Sequence, residues 1–274
     1  RLRHSTRGLV MAYLTVNNVR LHFERFPQPG KPVLVLSHSL FFDWRMFEPL
    51  IELLHPYFEI IAYDHRGQGL SSRSGPLDMD SLTEDLAALI DLLDLAPCYV
   101  AGNSMGGFVA LRLAARYPER LAGCIVMGSS ADREHQLAEF EPLVNQLAAE
   151  GAADQVDTLM YIMFGDQTLR SPEHAALCAR WRTHMRKLGP DIGVAAREVI
   201  HRASVLDELA GLRVPLLVLA GAEDHAYSTA LSEQIVERSG RGQCRVISAA
   251  GHSLALEQPA QVADAIRQFA ADAV

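Results

Sequence analysis

The residue best placed to do chemistry in this 274-residue chain is a serine held between glycines, Gly102-Asn103-Ser104-Met105-Gly106-Gly107. Before it, Cys98 to Ala101 is a short apolar run with the character of a buried strand; after it, Phe108 to Tyr117 carries a helical pattern that ends at Pro118. A strand-to-helix reversal this tight strains the central residue and brings backbone so close that only glycine fits at 102 and 106. The strain lifts the Ser104 hydroxyl clear of the sheet and turns the Met105 N–H the same way, which is the logic of a nucleophile elbow. A bare Gly-x-Ser-x-Gly arises by chance; the strand before and the helix after give this one its weight.

A serine hydroxyl attacks a carbonyl only if a base takes its proton and an acid orients that base. Val218-Leu219-Ala220-Gly221-Ala222-Glu223-Asp224 puts an acid just past a buried strand, and Ser248-Ala249-Ala250-Gly251-His252 puts a histidine just past the next. Loops at the ends of adjacent strands, ~4.8 Å apart, can bring such side chains together over the sheet. With 11 histidines in the chain, a surface or core position is the default for any one of them, but the loop and its spacing after Asp224 single out His252. Glu223 reads as the outward-facing neighbour of Asp224, and Asp132, after the strand that follows the elbow, is a second rival.

Acyl transfer also needs donors where negative charge develops on the carbonyl oxygen. The Met105 N–H is one; the other is expected from the loop after Val33–Leu36, with Leu40 N–H preferred over Ser39 N–H. His38 is expected to brace that loop, and Asp64 and Arg66 to belong to a salt-linked loop over the strand ends. Candidates for the substrate pocket are Ser39, Phe41, Trp44, Tyr161, Met163 and Trp181, with Met160 and Phe164 beside them; plain packing competes for each. Arg45, Arg133 and Arg182 are the arginines that could meet a substrate carboxylate.

These groups need a scaffold. Tyr13 to Val19 and Arg20 to Phe26 read as strands around an Asn17-Asn18 turn, followed by strands at Val33–Leu36, Phe58–Tyr63, Gly123–Met127, Val214–Ala220 and Cys244–Ile247. Helical patterns alternate with them: Asp43 or Trp44 to Leu54, a capping box at Ser81-Leu82-Thr83-Glu84 opening a helix to Leu93, Thr229 to Ser239 and Pro259 to Ala271. The alternation predicts an α/β fold with a mainly parallel sheet covered on both faces. It stops over residues 132–204, where helical patterns recur at Glu139–Glu150, Ala153–Met163, Pro172–Leu188 and Ile192–Arg202 without a convincing strand. That stretch is read as a helical cap inserted between core segments 13–131 and 205–274, and residues 1–12 as an N-terminal extension.

Composition sets the outer bounds. A formal net charge of −8 with no basic stripe argues against nucleic-acid binding, and no apolar run reaches the ~18 residues of a membrane span. The four cysteines are widely spaced; Cys98, Cys124 and Cys244 lie in or beside apolar strand-like runs, which suggests buried free thiols and a reducing cytoplasm. Homo-oligomerisation is left open.

The elbow, the glycine-punctuated Asp64-His65-Arg66-Gly67-Gln68-Gly69-Leu70-Ser71 loop, Gly221-Ala222-Glu223-Asp224 and Gly251-His252 together resemble the α/β-hydrolase superfamily over about residues 13 to 271. The resemblance implies a mostly parallel eight-stranded sheet, Ser104 as nucleophile, Asp224 as acid, His252 as base, and no metal or organic cofactor. Within the superfamily, His38-Ser39-Leu40 and the following Arg45-Met46 are similar to the 3-oxoadipate enol-lactonase pattern, which carries Asn-Ser-Leu here and so favours Leu40 as the oxyanion donor. The elbow is also similar to that of meta-cleavage C–C hydrolases, but those show a Gly-rich oxyanion loop and an aromatic residue after the histidine, where this chain has Ser39-Leu40-Phe41 and Ser253. The expectation is a cofactor-independent hydrolase of a small ester or lactone; C–C bond hydrolysis and a non-catalytic ligand-binding protein are the alternatives.

Overall fold

The computed structural model describes residues 10–272. The extension expected over residues 1–12 falls mostly outside them, but its last residues do not, because strand β1 (Val10–Val16) begins there. β1 pairs antiparallel with β2 (Val19–Phe26), Val16 opposite Val19. Asn17 and Asn18 both take left-handed backbone, φ 48° and 65°. That is the two-residue turn whose twist suits a hairpin, and asparagine tolerates it.

The remaining strands are β3 (Val33–Ser37), β4 (Glu59–Tyr63), β5 (Cys98–Asn103), β6 (Leu121–Met127), β7 (Leu216–Gly221) and β8 (Gln243–Ile247). The eight form one sheet in the order β1-β2-β4-β3-β5-β6-β7-β8, antiparallel at β1–β2 and β2–β4 and parallel from there on. β5 lies centrally and is buried along its whole length, as a continuous apolar run requires when helices cover both faces. Cys98 on β5 and Cys124 on β6 are buried, and burial pushes each thiol up to about 12. Cys244 corrects the expectation of a third buried thiol: β8 is the edge strand and leaves it half-buried.

A 3-10 turn at Trp44–Phe47 leads into α1 (Glu48–Leu54); α2 (Met79–Leu92) and α3 (Met105–Arg116) follow. α2 starts earlier than its apparent capping box. Asp78 is the cap, accepting the Ser81 N–H at 3.1 Å and the Ser81 hydroxyl at 2.6 Å, so Ser81 supports the first turn from inside it. Residues 132–204 hold α4 (Leu137–Glu150), α5 (Val156–Met163), α6 (Asp166–Arg170), α7 (Ala175–Arg186) and α8 (Asp191–Ile200), and no strand. α4 and α8 pack against each other. α9 (Thr229–Ser239), α10 (Leu254–Glu257) and α11 (Pro259–Asp272) complete the chain.

The loop after β4 is salt-linked, though not from Asp64 to Arg66. Arg66 reaches across to Asp85 on α2 with a two-pronged contact, 2.7 and 2.9 Å, and both side chains are buried. Asp64 instead accepts the Trp44 and Leu70 N–H groups at 2.9 Å each and the His22 ring at 2.8 Å. Its carboxylate ties three separate segments to the rim of the sheet. No helix is long and apolar enough to cross a membrane among the described residues.

Candidate active site

Ser104 is the single residue between β5 and α3, with φ 53° and ψ −111°, a left-handed backbone that few non-glycine residues adopt. Its neighbours make that turn: a Cβ at Gly102 would overlap the Gly106 carbonyl, and one at Gly106 would overlap the Ser37 carbonyl of β3. Two further bonds hold the strained residue, Ser104 N–H to Met127 O and Ser129 hydroxyl to Ser104 O, both 2.8 Å.

The Ser104 hydroxyl donates to His252 Nε2 at 2.7 Å, and His252 Nδ1–H donates to Asp224 at 2.9 and 3.1 Å. The Asp224 carboxylate is itself fixed by the Ala226 and Tyr227 N–H groups at 2.8 and 3.0 Å, with only 2% of its side chain exposed. The three side chains named from the sequence therefore meet. The two rival acids do not reach the imidazole: Asp132 holds His135 at 2.8 Å, and Glu223 accepts the Gln167 N–H at 3.3 Å.

A fourth residue, missed in the sequence, steadies the group. Asn103 donates to the carbonyls of His252, at 2.9 Å, and Met127, at 3.1 Å, clamping the histidine loop onto the elbow. An amide at the end of an apolar, fully buried strand was the available signal.

The Leu40 and Met105 N–H groups make no hydrogen bond to protein among the described residues, and Leu40 lines the same cavity as Ser104. Met105 opens the first turn of α3, where unsatisfied N–H groups and the helix dipole both favour negative charge. The Ser39 N–H, the alternative to Leu40, is occupied by the Met46 sulfur at 3.3 Å. Phe41, with φ 75°, turns the chain directly after Leu40. Below this loop His38 is locked as a neutral ring: Nδ1–H donates to Ser39 O at 2.7 Å while Nε2 accepts the His65 N–H at 3.0 Å. Burial holds the pKa of His38 below the usual histidine range, and that of His65 well below it.

A cavity of about 60 Å³ opens onto Ser104, His252 and Leu40, room for only a few water-sized groups. Of the six predicted pocket residues, Phe41 and Met163 line it. The other four do not, and the expectation is corrected for each. Ser39 is buried with its hydroxyl on Asn103 O at 3.2 Å. Trp44 lines a separate cleft together with Arg45, Arg73 and Lys187. Tyr161 is exposed and stacked on His225, ring centroids 4.0 Å apart, and Trp181 packs against Phe42 at 4.8 Å. Much of the wall comes instead from apolar residues on the inner faces of α4 and α8, with Glu134 and Tyr227 beside them.

The roof of the site is fastened through Glu257 on α10, five residues after His252. Its buried carboxylate accepts the Gly165 N–H and Thr168 hydroxyl, both at 2.7 Å, from the 132–204 stretch, and the Ser253 N–H at 3.0 Å from the histidine loop. Burial raises its pKa, against the pull of those donors. No group of three or more His, Cys, Asp or Glu among the described residues is arranged to hold a metal ion.

Comparison with known proteins agrees with this architecture. A family model described as alpha/beta hydrolase fold matches residues 32–259. The chain is 29% identical to 3-oxoadipate enol-lactonase 2 of Acinetobacter baylyi, covering 90% of this chain and 91% of that protein. Among solved structures it is similar to the enol-lactonase from Burkholderia xenovorans LB400, with a TM-score of 0.88 at 24% identity over 94% of this chain and 99% of that one. It is also similar to a thermophilic esterase from Thermogutta terrifontis, with a TM-score of 0.85 at 28% identity over 97% and 99% of the two chains.

Proposed function

Because the chain belongs to the α/β-hydrolase family, we propose that it is a cofactor-independent serine hydrolase of a small carboxylic ester or lactone. The observation that carries this reading is the continuous relay from Asp224 through His252 to the Ser104 hydroxyl, with the Leu40 and Met105 N–H groups making no hydrogen bond to protein among the described residues. In the first half-reaction the Ser104 oxygen attacks the substrate carbonyl as its proton passes to His252 Nε2. The oxyanion that forms is held by the Leu40 and Met105 N–H groups. Collapse of the tetrahedral adduct breaks the bond to the leaving oxygen, which takes the proton from His252. The acyl group now sits on Ser104, and water, deprotonated by the same imidazole, releases it as a carboxylic acid. Asp224 keeps Nδ1 protonated so that Nε2 is free to act as base.

In this reading the core comprises residues 13–131 and 205–274, and residues 132–204 form a cap that screens the site from bulk solvent while admitting the water that releases the acyl group. The enol-lactonase relatives bring an enol lactone forward as one candidate substrate and the esterase relative brings a simple ester. 3-Oxoadipate is a dicarboxylate, so closing one carboxyl into a ring leaves the other free.

The test is Ser104→Ala assayed on p-nitrophenyl acetate and δ-valerolactone. Turnover should fall by at least about a thousandfold with the circular dichroism spectrum unchanged. Retention of more than a few per cent of parental kcat would show that chemistry runs elsewhere.

A further inference from the structure

We infer that this site takes a neutral, apolar group beside the reacting carbonyl and turns away substrates with a free carboxylate there; the inference rests on the ester or lactone reading above and narrows it. The wall of the cavity over Ser104 is apolar on the side of α4 (Leu143, Val144, Leu147) and of α8 (Val199, Ile200). Among the described residues that line it, the one carboxylic acid is Glu134. No lysine or arginine lines it among the described residues.

Glu134 has a partner, but one that cannot serve a ligand. Its Oε1 accepts the Tyr227 hydroxyl at 3.2 Å and faces Arg202 Nη1 at 3.5 Å. The Arg202 guanidinium lies behind the wall, donating to Asp132 O at 3.0 Å and Val199 O at 2.9 Å and stacking over Phe108 at 4.1 Å. Its charge is spent on the protein. A carboxylate entering the cavity would lose its water, find no cation, and sit beside another carboxylate.

The cations suggested by the sequence lie elsewhere. Of those three arginines, Arg45 lines the separate cleft near Trp44, in company with Arg73, His184 and Lys187, and that cleft includes neither Ser104 nor His252. There Arg45 is bound to Asp43 at 2.7 Å and Arg73 to Asp191 at 3.3 Å. Arg182 is paired with Asp157, and Arg133 is exposed and off the cavity wall. A short alkyl ester or unsubstituted lactone fits this environment; a lactone keeping one carboxylate of a dicarboxylic acid does not.

The experiment compares kcat/KM of the wild type on matched pairs: p-nitrophenyl butyrate against p-nitrophenyl hydrogen succinate, and a five-membered lactone with and without a carboxymethyl substituent. The neutral member should be preferred by about a hundredfold or more in both pairs, the scale set by burying an unpaired charge. Equal rates within either pair would overturn the inference. Glu134→Gln, which removes the acid and leaves the Arg202 charge uncompensated, should narrow the gap at least about tenfold; an unchanged ratio would remove Glu134 as its source, while the wild-type ratios decide the matter if that variant fails to fold. Ser104→Ala separates the two levels. Loss of turnover on all four substrates with equal wild-type rates would leave the serine mechanism standing and the selectivity wrong.

Discussion

An imidazole can accept the Ser104 proton only while its far nitrogen keeps its own, and Asp224 is the group that enforces this, since its oxygens accept from Nδ1 at 2.9 and 3.1 Å. Replacing Asp224 with Asn keeps the shape but lets the ring adopt the wrong tautomer, so kcat should fall by about 10³ to 10⁴ with stability little changed. Asp132→Asn should alter kcat by no more than a few fold, because that carboxylate is occupied by His135; the reverse pattern in steady-state assays would move the acid to residue 132. Ser104, Asp224 and His252 were legible because each follows a glycine by one to three residues at the end of a strand, where local pattern is informative. Glu134 was not: it follows an unremarkable loop, and only the fold brings it to a wall over Ser104. His38 adds a pH dependence of known sign. It titrates near 6.5 in an unfolded chain and lower in the fold, where burial keeps it neutral. Between those values the unfolded chain binds more protons, so its contribution is complete above about pH 6.5 and drains away as pH falls towards the folded pKa. Urea titrations from pH 7.5 to 5 should therefore show the wild type losing up to about 1.4 kcal/mol per pH unit that His38→Gln retains.

The elbow depends on how closely β3, β5 and α3 approach. In a free helix Gly106→Ala would gain about 1 kcal/mol of propensity, yet here the new methyl runs into the Ser37 carbonyl, a backbone atom fixed in a parallel ladder. Steric cost should win. The substitution is expected to destabilise by at least about 2 kcal/mol in urea unfolding and to shift the Met105 N–H enough to lower kcat; an unaltered midpoint would mean that the strand and helix can move apart. At this scale the alternation of strands and helices could be read directly, as could the helices of residues 132–204 other than the five-residue α6. Their inner faces could not. Periodicity shows that Tyr161 and Trp181 sit on helices, but not that one stacks outward on His225 while the other fills a seam against Phe42. Short elements escaped for a related reason: α10, from Leu254 to Glu257, is too brief to show a period.

Across the whole molecule, the helices over the site and the loop that carries the base share one anchor. Glu257→Ala would strand the Gly165 N–H, the Thr168 hydroxyl and the Ser253 N–H together, and leaving several buried groups unpaired costs more than the mean hydrogen bond suggests. The variant should show faster proteolysis within residues 150–175 and a lower kcat, with Glu257→Gln intermediate because its amide oxygen still accepts; equal cleavage rates in all three proteins would dissolve the link. The same wiring has a thermal consequence. Warming that works the joint loose would idle the chemistry while the sheet remains intact, so on a slow ramp the loss of turnover should run ahead of the loss of ellipticity. A sample cooled from within that interval should resume work without having to refold.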